Sequence, residues 1–139
     1  MFKHILVPID LSDKNQRPLD IAAMLAEKSG ARVSLLHEIQ RVAGLSAREL
    51  GAFYHRLVRT SEQKLARAGR RFASRRVRVE TSVIIGDPPR EIVRASLRRR
   101  ADLIVMGSHR INPSRPATGL GTTSYKVGLA CRCPVLLVK

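Results

Sequence analysis

Short apolar runs alternate with longer segments of helical period along the chain. The first run, Phe2 to Ile9, carries Ile5-Leu6-Val7 without a polar break, which suits a strand buried on both faces. From Arg17 to Ser29 the positions Ile21, Met24, Leu25 and Lys28 follow helical spacing, Pro18 sits in the tolerant first turn, and Gly30 ends the element. Arg32 to Ile39 reads as a second strand. The longest helical pattern runs from Ser46 to Phe72, where Leu50, Tyr54, Leu57, Ser61, Leu65, Ala68 and Phe72 form one inward stripe. Tyr54 and Phe72 on that stripe read as core.

Arg76 to Ile85, with alternating Val77, Val79 and Thr81, is the third strand. Gly86-Asp87-Pro88-Pro89 then opens a helix, because Asp87 caps orphan amides and Pro88 suits the first helical position. The fourth strand is Asp102 to Met106, followed by a loop from Gly107 to about Leu120. A helix spans about Thr122 to Cys131, and Pro134 opens a fifth strand, Val135 to Val138.

Such alternation, five βα steps in all, predicts an α/β fold with a parallel sheet and crossover helices on both faces. At 139 residues, with no repeat, linker or low-complexity tract, the expectation is one domain over 1–139. No apolar run reaches membrane length, and MFKHILVPID reads as a strand rather than a signal peptide, so the cytoplasm is the expected location.

In an open parallel sheet, ligands bind beyond the carboxyl ends of the strands where the strand order reverses. For a sheet of order 3-2-1-4-5 that place lies between strands 1 and 4. After strand 1 comes Pro8-Ile9-Asp10-Leu11-Ser12, where Asp10 accepts hydrogen bonds either from sugar hydroxyls or within its own turn. After strand 4 comes Met106-Gly107-Ser108-His109-Arg110, and before the last helix Gly119-Leu120-Gly121-Thr122-Thr123-Ser124. Glycines let a backbone approach phosphate, and hydroxyls with free amides at a helix start bind anions, although Gly and Thr also form ordinary caps. Lys126 in the first helical turn opposes the helix dipole and reads either as a partner for a bound anion or as a solvated lysine.

Charge changes the picture. Lys plus Arg number 26 against 11 Asp plus Glu, a net +15, which exceeds the usual magnitude of about 2–8 for a small domain. Six arginines fall between Arg67 and Arg78 without one acid, and Arg98-Arg99-Arg100 form a second run. This surface attracts polyanions, but only three Phe, two Tyr and no Trp supply stacking platforms, so sequence-specific nucleic-acid reading is disfavoured. Cys131 and Cys133 are too close in sequence for ordinary disulfide geometry and have no metal-ligating neighbours, so they read as packing residues.

The segments KHILVPIDLS, GDPPREIV, DLIVMGSHR and GTTSYKVGLACRCPVLLVK make the whole chain resemble a universal stress protein. That resemblance implies a Rossmann-like sheet of the adenine nucleotide alpha hydrolase type, order 3-2-1-4-5, and a homodimer paired through strand 5. It also implies a nucleotide site built on G-x2-G-x9-G-[S/T]. Gly107 matches the first glycine, and Gly121 and Thr122 match the last glycine and its hydroxyl partner. Pro8, Ile9 and Asp10 fall on the adenosine side, and Met106, Ser108 and Thr123 at other contact positions. The second glycine position holds Arg110, which either fills the phosphate cavity or clamps phosphate. The loop is one residue longer than the motif, contains Pro113 and Pro116, and Glu38 stands where an apolar residue commonly packs on adenine.

The resemblance therefore implies a stress-response regulator binding ATP or another adenine nucleotide, with Mg2+ as the phosphates' counter-ion. Little or no turnover is expected, since His109 is the nearest candidate base and a lone loop histidine is more often structural. The alternatives are a dimeric scaffold acting through protein partners without nucleotide, and a non-specific polyanion binder.

Overall fold

The computed structural model of the chain describes residues 1–44, 46–108, 113–115 and 121–139. Its elements are β1 (His4–Pro8), α1 (Gln16–Ser29), β2 (Arg32–Ile39), α2 (Ala47–Ala73), β3 (Val79–Ile85), α3 (Pro88–Arg98), β4 (Leu103–Gly107), α4 (Thr123–Ala130) and β5 (Val135–Val138). The five strands form one sheet in the order β3-β2-β1-β4-β5, and every neighbouring pair is parallel.

Central strands of a parallel sheet need apolar side chains on both faces, and β1 and β4 supply them. Ile5, Val7, Leu35 and Val105 pack in one cluster with Leu65 and Phe72 of α2 and the alanines of α1, while Leu6, Leu36 and Ile104 pack in another with Ile92 of α3 and Val127 of α4. Phe72 is a fully buried core residue, as its place on the stripe implies. Toward the other end of that stripe, Leu50, Tyr54 and Leu57 are only half-buried. Tyr54 there uses its hydroxyl oxygen to accept from Val42 N at 2.6 Å.

Within these elements, the start of β3 is the boundary that differs most from expectation. The buried face of α1 is Pro18, Leu19, Ala22, Ala23 and Ala26; of the spaced positions, Ile21 and Leu25 pack partly buried against the same core and Met24 is 42% exposed. Small residues let the helix lie close to the sheet, and their weak hydropathy hid that face among larger neighbours. Strand β3 begins at Val79 rather than Arg76, because Arg76 has φ 58°, a left-handed conformation that no strand contains. The longer cysteine-terminated helix stops at Ala130, and the half-buried free thiols Cys131 and Cys133 pack against the α3–α4 cluster, where burial pushes both thiol pKa values up.

The amino ends of the strands are joined by polar side chains. The Asp102 carboxylate accepts from Lys3 N at 2.8 Å and His4 N at 3.1 Å. Buried His4 donates from Nδ1 to the Arg99 carbonyl at 2.8 Å, and its Nε2 lies 2.7 Å from Ser34 Oγ. Ser34 Oγ donates to Glu80 at 2.6 Å, and Arg99 reaches Glu80 at 3.2 Å and Ser82 Oγ at 2.7 Å. Among the described residues, no helix is long and apolar enough to cross a membrane.

Candidate functional site

Strands β1 and β4 are adjacent in the sheet, yet β1 leads to α1 on one face and β4 toward α4 on the other. At their carboxyl ends a crevice of about 720 Å³ opens, with Asp10 and Ser108 among its lining. Pro8, Ile9 and Asp10 line it from the end of β1, and Met106, Gly107 and Ser108 from β4. Gly121, Thr122 and Thr123 line it from the start of α4, and Glu38 from the end of β2. Arg110 and His109 lie outside the described residues.

Sequence reasoning missed several lining residues, among them Lys14, Asn15, His37, Ile92 and Lys139. Lys139 arrives through the β4–β5 register, which sets Val138 beside Gly107, and its Nζ donates to Ser108 Oγ at 3.2 Å. Arg17 donates to the Lys139 carbonyl at 3.2 Å. Lys14 enters on the 3-10 turn Asp13–Asn15, and no signal in the sequence marks it.

Asp10 is held in place by its own loop. Oδ1 accepts from Ser12 N at 2.9 Å, from Ser12 Oγ at 2.7 Å and from Asn15 Nδ2. Partial burial raises the carboxyl pKa, but the hydrogen bonds from Ser12 and Asn15 outweigh it and leave the group below its ordinary value. Asp10 is therefore an ionised acceptor at neutral pH, with its second oxygen outside the Ser12 network. The next residue, Leu11, has φ 64°, a costly conformation for a branched side chain that turns the chain sharply after Asp10.

Glu38 is in the opposite state. Desolvation raises its pKa to about 8; its own backbone N–H opposes this, and the charge of Asp10 adds to it. At neutral pH the carboxyl is protonated and can both donate and accept. On the opposite face of β2, His37 Nδ1 donates to the Ile9 carbonyl at 2.8 Å and steadies the end of β1.

The glycines of the crevice are not demanded by the backbone. Gly107 and Gly121 lack positive φ; among the described residues a Cβ at Gly121 meets nothing within 4 Å, and at Gly107 only Pro18 Cγ at 3.6 Å. Beside Gly121, Thr122 Oγ1 caps α4 by accepting from Tyr125 N at 3.3 Å. Lys126 is exposed and is not part of the crevice lining.

Among the described residues, no three His, Cys, Asp or Glu side chains cluster as metal ligands. The basic runs are partly committed to the fold. Arg71 pairs with Asp20 at 3.0 Å, Arg75 with Glu27 at 2.7 Å and Arg99 with Glu80 at 3.2 Å.

The model of the universal stress protein family matches residues 1–139. Universal stress protein YxiE of Bacillus subtilis is 32% identical over 149 residues, covering 100% of both chains. Among solved structures, universal stress protein UspA from Lactobacillus plantarum superposes with TM-score 0.84 at 21% identity, over 99% of this chain and 97% of that one. Two further neighbours contain ligands. One is a universal stress protein in complex with cAMP (TM-score 0.78, 19% identity, 99% and 97% coverage). The other, from Archaeoglobus fulgidus, is in complex with dAMP (TM-score 0.73, 21% identity, 99% and 98% coverage). A family model that runs from the first residue to the last, and a relative alike over its full length, put this chain in the universal stress protein family.

Proposed function

We propose that the protein is a cytoplasmic stress-response regulator that binds an adenine nucleotide, ATP foremost, in the crevice between β1 and β4, with little or no turnover. The observation that carries this reading is the crevice at the carboxyl ends of β1 and β4, into which Asp10, Gly107, Gly121 and Thr122 are brought together. Asp10 takes the ribose hydroxyls, with Pro8, Ile9, Glu38 and Met106 on the base side. Gly107, Ser108, Gly121, Thr122 and Thr123 surround the phosphates, and the amides at the start of α4 face them. Lys14 and Lys139 add positive charge at the same crevice. The cAMP and dAMP complexes of the two structural neighbours support adenine as the base class. Mg2+ serves here as counter-ion of the phosphates, without a dedicated protein cage.

Calorimetric titration with ATP and AMP tests the reading. Wild type binds, and Gly121→Val blocks binding by filling the phosphate space while its melting temperature stays near that of wild type. No heat and no thermal shift at millimolar ATP would refute it and leave a protein-binding scaffold. We further propose a homodimer through β5, because Leu136 and Leu137 of this edge strand are 38% and 37% exposed.

A further inference from the structure

Among the described residues, Glu38 Oε1 is the one buried side-chain oxygen or nitrogen without a hydrogen-bond partner. A buried carboxyl oxygen left unpaired costs free energy that a simple packing residue at this position avoids. The side chain lines the crevice at the end of β2, in company with the apolar Ile9, Ile92 and Met106. An apolar slot that ends in one unpaired polar group has the make-up of a base pocket.

Burial keeps the group neutral, and the charge of Asp10 adds to that effect. Asp10 stands on the β1 side and disfavours a second negative charge. From α3, which packs on β2, Glu91 is already paired with Arg94 at 3.2 Å. Lys14 and Lys139 line the crevice from the turn before α1 and from the end of β5, and His37 projects from the other face of β2, tied to Ile9. Tyr54 of α2, which also packs on β2, has its hydroxyl engaged with Val42 N.

We infer that Glu38 reads the base: one protonated carboxyl oxygen donates to a ring nitrogen of adenine while the other accepts from the 6-amino group. Adenine presents that acceptor and donor side by side at N7 and N6, whereas guanine presents two acceptors at N7 and O6. Ionised Glu38 has two acceptors and no donor, so it loses the adenine pairing and suits the adjacent N–H groups of guanine. Base choice is thereby tied to a single proton. The inference rests on the nucleotide reading above and names the residue that sets specificity within it.

Titrations of wild type, Glu38→Gln and Glu38→Leu with AMP and GMP between pH 7 and pH 9.5 test it. The AMP phosphate stays a dianion over this range, and Lys14 and Lys139 are present in all three proteins. Wild-type affinity for AMP falls about thirty-fold across the range, as the neutral fraction of a group titrating near 8 declines, and its AMP-to-GMP preference falls with it. Glu38→Gln keeps a donor and an acceptor at every pH, so its AMP affinity is flat. Glu38→Leu, a packing replacement that removes the unpaired oxygen, shows a reduced preference for AMP. A flat wild-type profile, an equal decline in Glu38→Gln, or an unchanged preference in Glu38→Leu would each overturn the assignment while leaving nucleotide binding intact. Absence of binding to either nucleotide by folded wild type at any pH overturns the nucleotide reading itself, and this inference with it.

Discussion

Asp10 Oδ1 carries the turn after β1 through Ser12 and Asn15, so Asp10→Ala acts on the fold as well as on a ligand. We expect it to weaken ATP binding by about 1–3 kcal/mol in calorimetry, the range for leaving polar partners unpaired. A lower melting temperature with unchanged affinity would assign Asp10 to the turn alone. Glu38 makes a prediction about pH. Its folded pKa is raised from 4.5 to about 8, so folding retains a proton that the unfolded chain has lost. The resulting stability is fully present below about pH 4.5 and is lost as pH rises through about 8. Thermal melts of Glu38→Gln against wild type show a gap that widens in favour of the variant from pH 5 to pH 8, and a constant gap refutes it. Reading the residues that follow strands 1 and 4 located Asp10, Gly107 and Ser108 in the crevice lining. It missed Lys139 because that lysine arrives by inter-strand register, and Lys14 because a one-turn 3-10 segment has no period to detect.

Helix α2 is a test of local signals. Ser46 Oγ accepts from Glu49 N at 3.2 Å and Glu49 returns a bond to Ser46 N at 3.0 Å, a reciprocal cap on the longest helix. Ser46→Ala is expected to cost about 1 kcal/mol in a denaturant unfolding experiment. A change below a few tenths means that this end frays in solution. Elements with strong punctuation were legible: Asp87-Pro88 opens α3, Gly30 closes α1 in a left-handed turn, and β2 and β5 have the read boundaries. Where propensity and tertiary structure conflict, the reading slipped. Val77 alternates with Val79 as in a strand, but Val77 N is bonded to the Phe72 carbonyl at 3.0 Å and finishes the α2 turn instead. The alanine face of α1 is chosen by close approach to the sheet, a long-range property that no window of sequence contains.

At the scale of the molecule, charge and edges govern association. The outer side of β5 has no strand beside it among the described residues, and Leu129 of α4 is 72% exposed. A homodimer that covers this region sediments as one species at micromolar concentration, and Leu137→Lys shifts it toward monomer. A monomer at all concentrations removes the proposal. The net +15 predicts weak binding to single-stranded and duplex nucleic acid alike, falling steeply with salt. Tight, salt-resistant binding of one sequence contradicts it.

The sheet itself is lopsided. Its amino end is laced from β1 to β4 by Asp102, His4, Ser34, Glu80 and Arg99, whereas its carboxyl end surrounds an open crevice. Side-chain lacing across four strands resists local opening, so the backbone beside Arg32 and Asp102 is expected to open only with the whole molecule. In amide hydrogen exchange, the backbone N–H groups near the lacing are expected to report global unfolding. A molecule that fills the crevice then acts at the end opposite the lacing, and ligand-induced protection is expected to concentrate there while the laced end keeps its exchange rates.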